Sequence, residues 1–136
     1  MKRYLIVFSV AAVAVLSGLG ARAYAHHSFA ATYHEDRSIT IEGELVQFLF
    51  RNPHSFVHVN VRETDGKVRR YAVEWGGAGQ LGGQGVNSQT LKVGDKVIIT
   101  GSPGRGYPEQ ARVRMVTLRR PADGFDWGRR ANETVD

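Results

Sequence analysis

The sequence predicts an all-β protein: a small five-stranded, OB-like barrel, partly open, with at most one short helix between strands 3 and 4. Three observations lead there. Short runs alternate apolar and polar residues, turn-forming pairs separate these runs, and the first run is long with a glycine inside it where a strand can bend. With 136 residues, 42% hydrophobic and 23% charged, the chain can build one core and no second domain.

Ser38 to Phe50 (SITIEGELVQFLF) is the first strand, with Ile39, Ile41, Leu45 and Leu49 on one face and Gly43 interrupting it. Arg51-Asn52-Pro53 ends the run in a turn. In the second strand, Ser55 to Arg62, the residues Val57, Val59 and Val61 face the barrel interior. Phe56, His58 and Asn60 face the other way, and His54 sits at the rim. Thr64-Asp65-Gly66-Lys67 carries an Asp-Gly hairpin signature and leads into the third strand, Val68 to Trp75. There Val68, Arg70, Ala72 and Glu74 oppose Arg69, Tyr71, Val73 and Trp75. A glycine-rich stretch, Gly76 to Gly85, follows, and Ser88 to Leu91 has room for the short helix. Gly94-Asp95 opens the fourth strand, Lys96 to Gly101. After a Gly/Pro loop comes the fifth, Ala111 to Leu118, with Val113, Met115 and Thr117 against Arg112, Arg114, Val116 and Leu118. The barrel domain therefore spans 38–120, preceded by a histidine-containing arm, 26–37, and followed by a polar tail, 121–136, expected to be loosely attached.

The N-terminus reads as a cleaved signal peptide, 1–25. Lys2 and Arg3 precede an uncharged run from Tyr4 to Leu19, and two small-x-small sites, Ala21-Arg22-Ala23 and Ala23-Tyr24-Ala25, follow it. The run is Ala-rich and near the lower limit for a membrane span, so no stable anchor is expected after cleavage. The mature protein is expected in the periplasm or outside the cell. Cleavage after Ala25 removes three of the 18 basic residues and none of the 13 acidic ones, lowering the net charge from +5 to +2. So small a charge, on an exported protein, argues against a nucleic-acid partner. The absence of cysteine excludes a disulfide scaffold, a thiolate zinc site, an iron–sulfur cluster and a CxxCH haem attachment.

Several motif-like strings carry no chemistry. Gly77-Ala78-Gly79-Gln80-Leu81-Gly82 spells GxGxxG after a strand, but no βαβ unit follows to make a dinucleotide site of it. Glu35-Asp36 and the pair Glu42 and Glu44 read as solvated edge charges rather than acid/base partners. The doublets Arg69-Arg70, Arg119-Arg120 and Arg129-Arg130 lie near aromatic residues but read as an ordinary solvated surface.

The histidines differ. All five (His26, His27, His34, His54, His58) fall within one 33-residue segment, and processing would expose a free amine beside an imidazole at His26. An N-terminal histidine chelates through its amine and Nδ1, and a second imidazole completes a nitrogen set suited to copper. The expected metal ligands are His26 through both nitrogens, with His54 as third donor from the rim or His27 in its place. His34 and His58 are bystanders: on a regular strand, His58 would stand about 13 Å from His54, too far to share an ion. The competing reading is that His26-His27 merely marks where signal peptidase cuts.

The leader followed by His26-His27-Ser28-Phe29-Ala30-Ala31, then Asn52-Pro53-His54, then Leu91-Lys92-Val93-Gly94-Asp95 before a strand ending Thr100-Gly101, resembles a family of small secreted bacterial proteins of unknown function. The resemblance spans nearly the whole mature chain and implies the barrel and export, but no activity. The 76–85 stretch is richer in glycine than that pattern. A mature N-terminal histidine is also similar to the start of periplasmic copper carriers and lytic polysaccharide monooxygenases, an analogy of ligands only. Three functions follow: a copper-binding protein, a non-metal module binding a sugar, peptide or partner protein on face aromatics such as Phe56 and Trp75, and a copper-dependent oxidase or monooxygenase. A binding protein with no catalytic residues is the expectation. The intact mass of the exported protein should show a start at His26; a start at Tyr24 would place His26 third and defeat the His-first chelate.

Overall fold

Five alternating runs close on themselves and a sixth strand lies outside them. The protein is seen here as a computed structural model that describes residues 29–128. The leader, its cleavage sites, His26, His27 and Arg129-Arg130 lie outside the described residues. Residues 29–32 are helical and belong to a unit separate from the one that begins at Tyr33 and contains the barrel. The elements are β1 (Ile39–Leu49), β2 (Phe56–Arg62), β3 (Val68–Glu74), α1 (Ala78–Gly82), β4 (Lys96–Pro103), β5 (Arg112–Arg120) and β6 (Phe125–Trp127). Strand order is β3-β2-β1-β4-β5-β6, and a parallel β3–β5 pairing closes the barrel. This is the OB-like arrangement expected. Among the described residues no helix is long and apolar enough to cross a membrane.

β1 serves two neighbours. Its first half pairs with β4, from Ile39↔Gly101 to Glu44↔Lys96, and its second half with β2, from Gly43↔Val61 to Leu49↔Phe56. Gly43 belongs to both ladders. A Cβ there would stand 2.2 Å from the Asn60 carbonyl oxygen, so the position accepts only glycine without backbone movement. Val57, Val59 and Val61 are buried as expected, packed with Leu45, Val73, Val97, Ile99 and Val113.

Two bulges reverse the period-two pattern. In β1 the register shifts between Leu45 and Gln47, so Phe48 opposite Val57 joins the core, and Leu49 faces outward opposite Phe56. In β5 the shift falls at Val116, which is exposed, while Leu118 is fully buried. A residue inserted into one strand flips every later side chain to the other face.

The remaining differences lie after β3. The helix forms at Ala78–Gly82, inside the glycine-rich stretch, and Ser88 to Leu91 is a turn. Burial of Leu81 outweighs the poor helix propensity of its glycine neighbours. Trp75, expected as a binding platform on the barrel face, is 3% exposed and belongs to the core. Its ring meets Trp127 edge-on at 5.0 Å and Phe48 at 5.9 Å, and its N–H finds no acceptor among the described residues. Trp127 arrives on β6, so the segment expected as a polar tail contributes a strand to the sheet. The corner before β6 is held by Arg120, which donates to Asp95 (2.7 Å), Asp123 (2.8 Å) and the Thr90 carbonyl (2.6 Å).

Val59→Ala should cost about 1–3 kcal/mol in urea unfolding, transfer and cavity terms together. Gly43→Ala adds a methyl group yet should also destabilise, by about 1–3 kcal/mol, because β1 must move off Asn60.

Candidate functional site

The turn between β1 and β2 is fixed from below by the glycine-rich segment. Ala78 N–H donates to the Arg51 carbonyl (3.1 Å) and Gly79 N–H to Asn52 Oδ1 (3.1 Å). A Cβ on Gly77 would lie 2.5 Å from the Pro53 carbonyl oxygen, so the approach requires glycine at that point. Ser55 is buried; its N–H donates to the Gly76 carbonyl (3.0 Å) and its hydroxyl to the Arg51 carbonyl (3.2 Å). His54 is therefore carried on a turn with little freedom to shift.

Its imidazole meets a buried carboxylate. Glu74 closes β3 on the outer face of the barrel wall, paired in register with Phe56, yet is only 7% exposed. Water is excluded by Tyr33 of the arm, itself 1% exposed, and by Arg112 of β5. The Tyr33 hydroxyl donates to Glu74 Oε2, Arg112 Nη2 donates to the same oxygen at 3.0 Å, and Arg112 Nε donates to the Tyr33 oxygen at 2.9 Å. The guanidinium also stacks over the Tyr33 ring at 5.5 Å. On the other oxygen, Oε1, His54 Nδ1 sits at 3.1 Å. Burial first, then the hydrogen bond to Glu74, push the Tyr33 phenol well above its ordinary value.

Of the expected ligands, His54 is thus placed at the rim with its side chain 40% exposed, while His26 and His27 lie outside the described residues. Among the described residues no three His, Asp or Glu side chains converge as a metal cage. His34 lies 3.9 Å from Asp36. His58 points outward on β2 opposite Ala72; burial, then the charge of Arg70, hold its imidazole below the ordinary histidine value. Glu42 and Glu44 line an open hollow with Asn60, Arg62, Val68 and Lys96, where Lys96 pairs with Glu44 at 2.6 Å. Arg69, Arg119 and Arg120 of the basic doublets are engaged with Glu63, Asp126, and Asp95 with Asp123. Phe56 is stacked by Arg51 at 5.5 Å.

Sequence reasoning missed Glu74, Tyr33 and Arg112. The available signal was an acidic residue wedged between Val73 and Trp75 at the end of a strand. Tyr33→Phe should lower stability by about 1.5–3 kcal/mol, the worth of hydrogen bonds to charged groups, with the ring still packed. Glu74→Ala should cost more, though less than the roughly 3–5 kcal/mol of breaking a fully buried pair, because Arg112 is partly solvated. By NMR, His58 should titrate below pH 6.5. The unfolded chain binds that proton first, so stability should fall as pH drops through 6.5.

No curated protein matches the chain. Among solved structures, the mitochondrial single-stranded DNA binding protein Rim1 of S. cerevisiae (Form2) aligns at 10% identity with a TM-score of 0.47, covering 62% of this chain and 92% of its own. The selenomethionine-labelled structure of the same protein gives 11% identity and 0.42 over the same shares. Residues 12–111 match the family of unknown function DUF6152, and the chain belongs to that family.

Proposed function

We propose that this is an exported OB-like barrel protein that binds copper(II) through its processed N-terminal histidine, His26, with His54 as a further nitrogen donor and His27 as the alternative. One observation carries the reading: His54 Nδ1 and the Tyr33 hydroxyl meet on the same carboxylate, Glu74. Tyr33 anchors the arm at the group that meets His54, and only six residues lie between it and His26. Amine and imidazole nitrogens favour copper over other divalent first-row ions.

Export rests on the leader pattern, and the absence of a nucleic-acid partner on the small mature charge and on arginines already paired with carboxylates. Binding on barrel-face aromatics is less favoured, because Trp75 is in the core and Phe56 lies under Arg51. A copper oxidase remains the enzymatic form of the same site and would announce itself by peroxide- or oxygen-dependent turnover.

Copper(II) titrations of three forms test the reading: protein starting at His26, protein with one extra residue ahead of it, and His54→Ala. The extra residue should damage binding as badly as removal of His26, and His54→Ala should weaken it. Both donor types bind only when deprotonated, so affinity should fall as pH drops from about 8 to below about 6.5. Unchanged affinity in the extended form would refute the N-terminal chelate.

A further inference from the structure

We infer that the outer face of β2 and β3 holds a site for a tetrahedral oxyanion, a phosphate or sulfate group, seated over Ala72 between His58, Arg70 and Arg112. The site is separate from the copper reading and uses none of its ligands.

Strand register assembles it. His58 of β2 stands opposite Ala72 of β3, and Arg112 of β5 flanks Ala72 on the other side. Arg70 precedes Ala72 by two residues and so lies on the same face of the strand. One methyl group is thus bordered by three nitrogen-bearing side chains, and its small size leaves room above it. Asn60 stands opposite Arg70 and Gln47 of β1 opposite His58, so neither neighbouring position brings a carboxylate. The other charges on this face are matched: Glu74 by Arg112, Arg114 by Glu35 and Glu44 by Lys96, while Arg62 donates to the Gly66 carbonyl at 3.0 Å. Among the described residues the Arg70 guanidinium meets no acceptor, and its charge falls on His58, where burial and then that charge disfavour the imidazolium. Arg112 spends two of its donors on Tyr33 and Glu74 and its side chain is 45% exposed, so donors remain.

A cation without a counter-ion, beside a half-buried imidazole that it keeps neutral, leaves a positive potential that an anion relieves. The fork of Arg70 suits two oxygens of a tetrahedral group, and a third oxygen is left for an imidazole N–H; a planar carboxylate has no third oxygen to offer. A bound dianion favours the charged imidazole, so by linkage its affinity rises as pH falls through the His58 titration.

Sulfate, which stays dianionic across that titration, is the probe, with chloride at matched ionic strength as the reference. By NMR, saturating sulfate should raise the His58 pKa by about one pH unit, which corresponds to about tenfold tighter binding to the imidazolium form. Arg70→Ala should weaken sulfate at least about tenfold and remove most of that rise. In chloride the same variant should itself raise the His58 pKa, because a repelling cation is gone. Ala72→Leu, which fills the space and removes no charge, should also weaken sulfate, with an unchanged urea midpoint in Arg70→Ala showing that the fold is intact. No rise of the His58 pKa in sulfate, or a rise that survives Arg70→Ala, overturns the inference. Competition at fixed pH separates the sources: stronger displacement of sulfate by inorganic phosphate assigns a free ion, and by glycerol 3-phosphate an ester.

Discussion

A carboxylate on the outside of a barrel wall, yet shielded from water, is the constraint around which this end of the molecule is arranged. Removing the hydration of Glu74 costs several kcal/mol unless charge and hydrogen bonds replace it. The replacements come from three places far apart in the chain: the arm (Tyr33), the rim turn (His54) and β5 (Arg112). Each is thereby held to β3. The parallel β3–β5 ladder that closes the barrel is short, from Ala72↔Arg112 to Glu74↔Arg114, so little backbone bonding secures this seam. The Glu74–Arg112 pair spans that seam and adds side-chain bonding where the ladder is thinnest.

Glycine in the connection after β3 serves the same end of the barrel. A GxGxxG string invites a phosphate-binding reading, but its first residues lie against the β1–β2 turn. Gly77 admits the Pro53 carbonyl, Gly79 N–H donates to Asn52 Oδ1, and the Gly76 carbonyl accepts from Ser55 N–H. Helix α1 is one turn long and is held by Leu81 in the core. The glycines let two backbones lie against each other, and what their packing fixes is the turn that presents His54.

The period-two pattern was sufficient to read the five barrel strands, their order along the chain and the interior valines of β2, because those depend on local alternation alone. It failed wherever one residue was added. Val46 and Val116 look like ordinary strand residues, and nothing in their neighbourhood marks them as bulges, so Leu49 and Leu118 were assigned to the wrong faces. β6 was hidden for a different reason: three residues are too few to show alternation, and the strand exists because Arg120 holds the corner and Trp127 has Trp75 to pack against. The cluster around Glu74 was illegible in principle. Tyr33 and Arg112 stand 41 and 38 residues from Glu74 in the chain, and only the closed barrel brings them together.

His54 and His58 differ more in environment than their spacing suggests. His54 and His58 are four residues apart, and spacing argued only that they could not share an ion. Their surroundings argue something stronger. His58 lies on a strand face beside the Arg70 charge, which opposes any cation arriving at its ring, and opposite Ala72, which offers no acceptor to orient it. His54 sits on a turn pinned by backbone contacts, with a carboxylate on Nδ1 that draws a positive charge toward the ring. The first ring lies beside a cation, the second against a carboxylate that Arg112 also pairs. The contrast between the two rings therefore follows from one carboxylate placed beside one imidazole, and the β2–β3 register is what places it there.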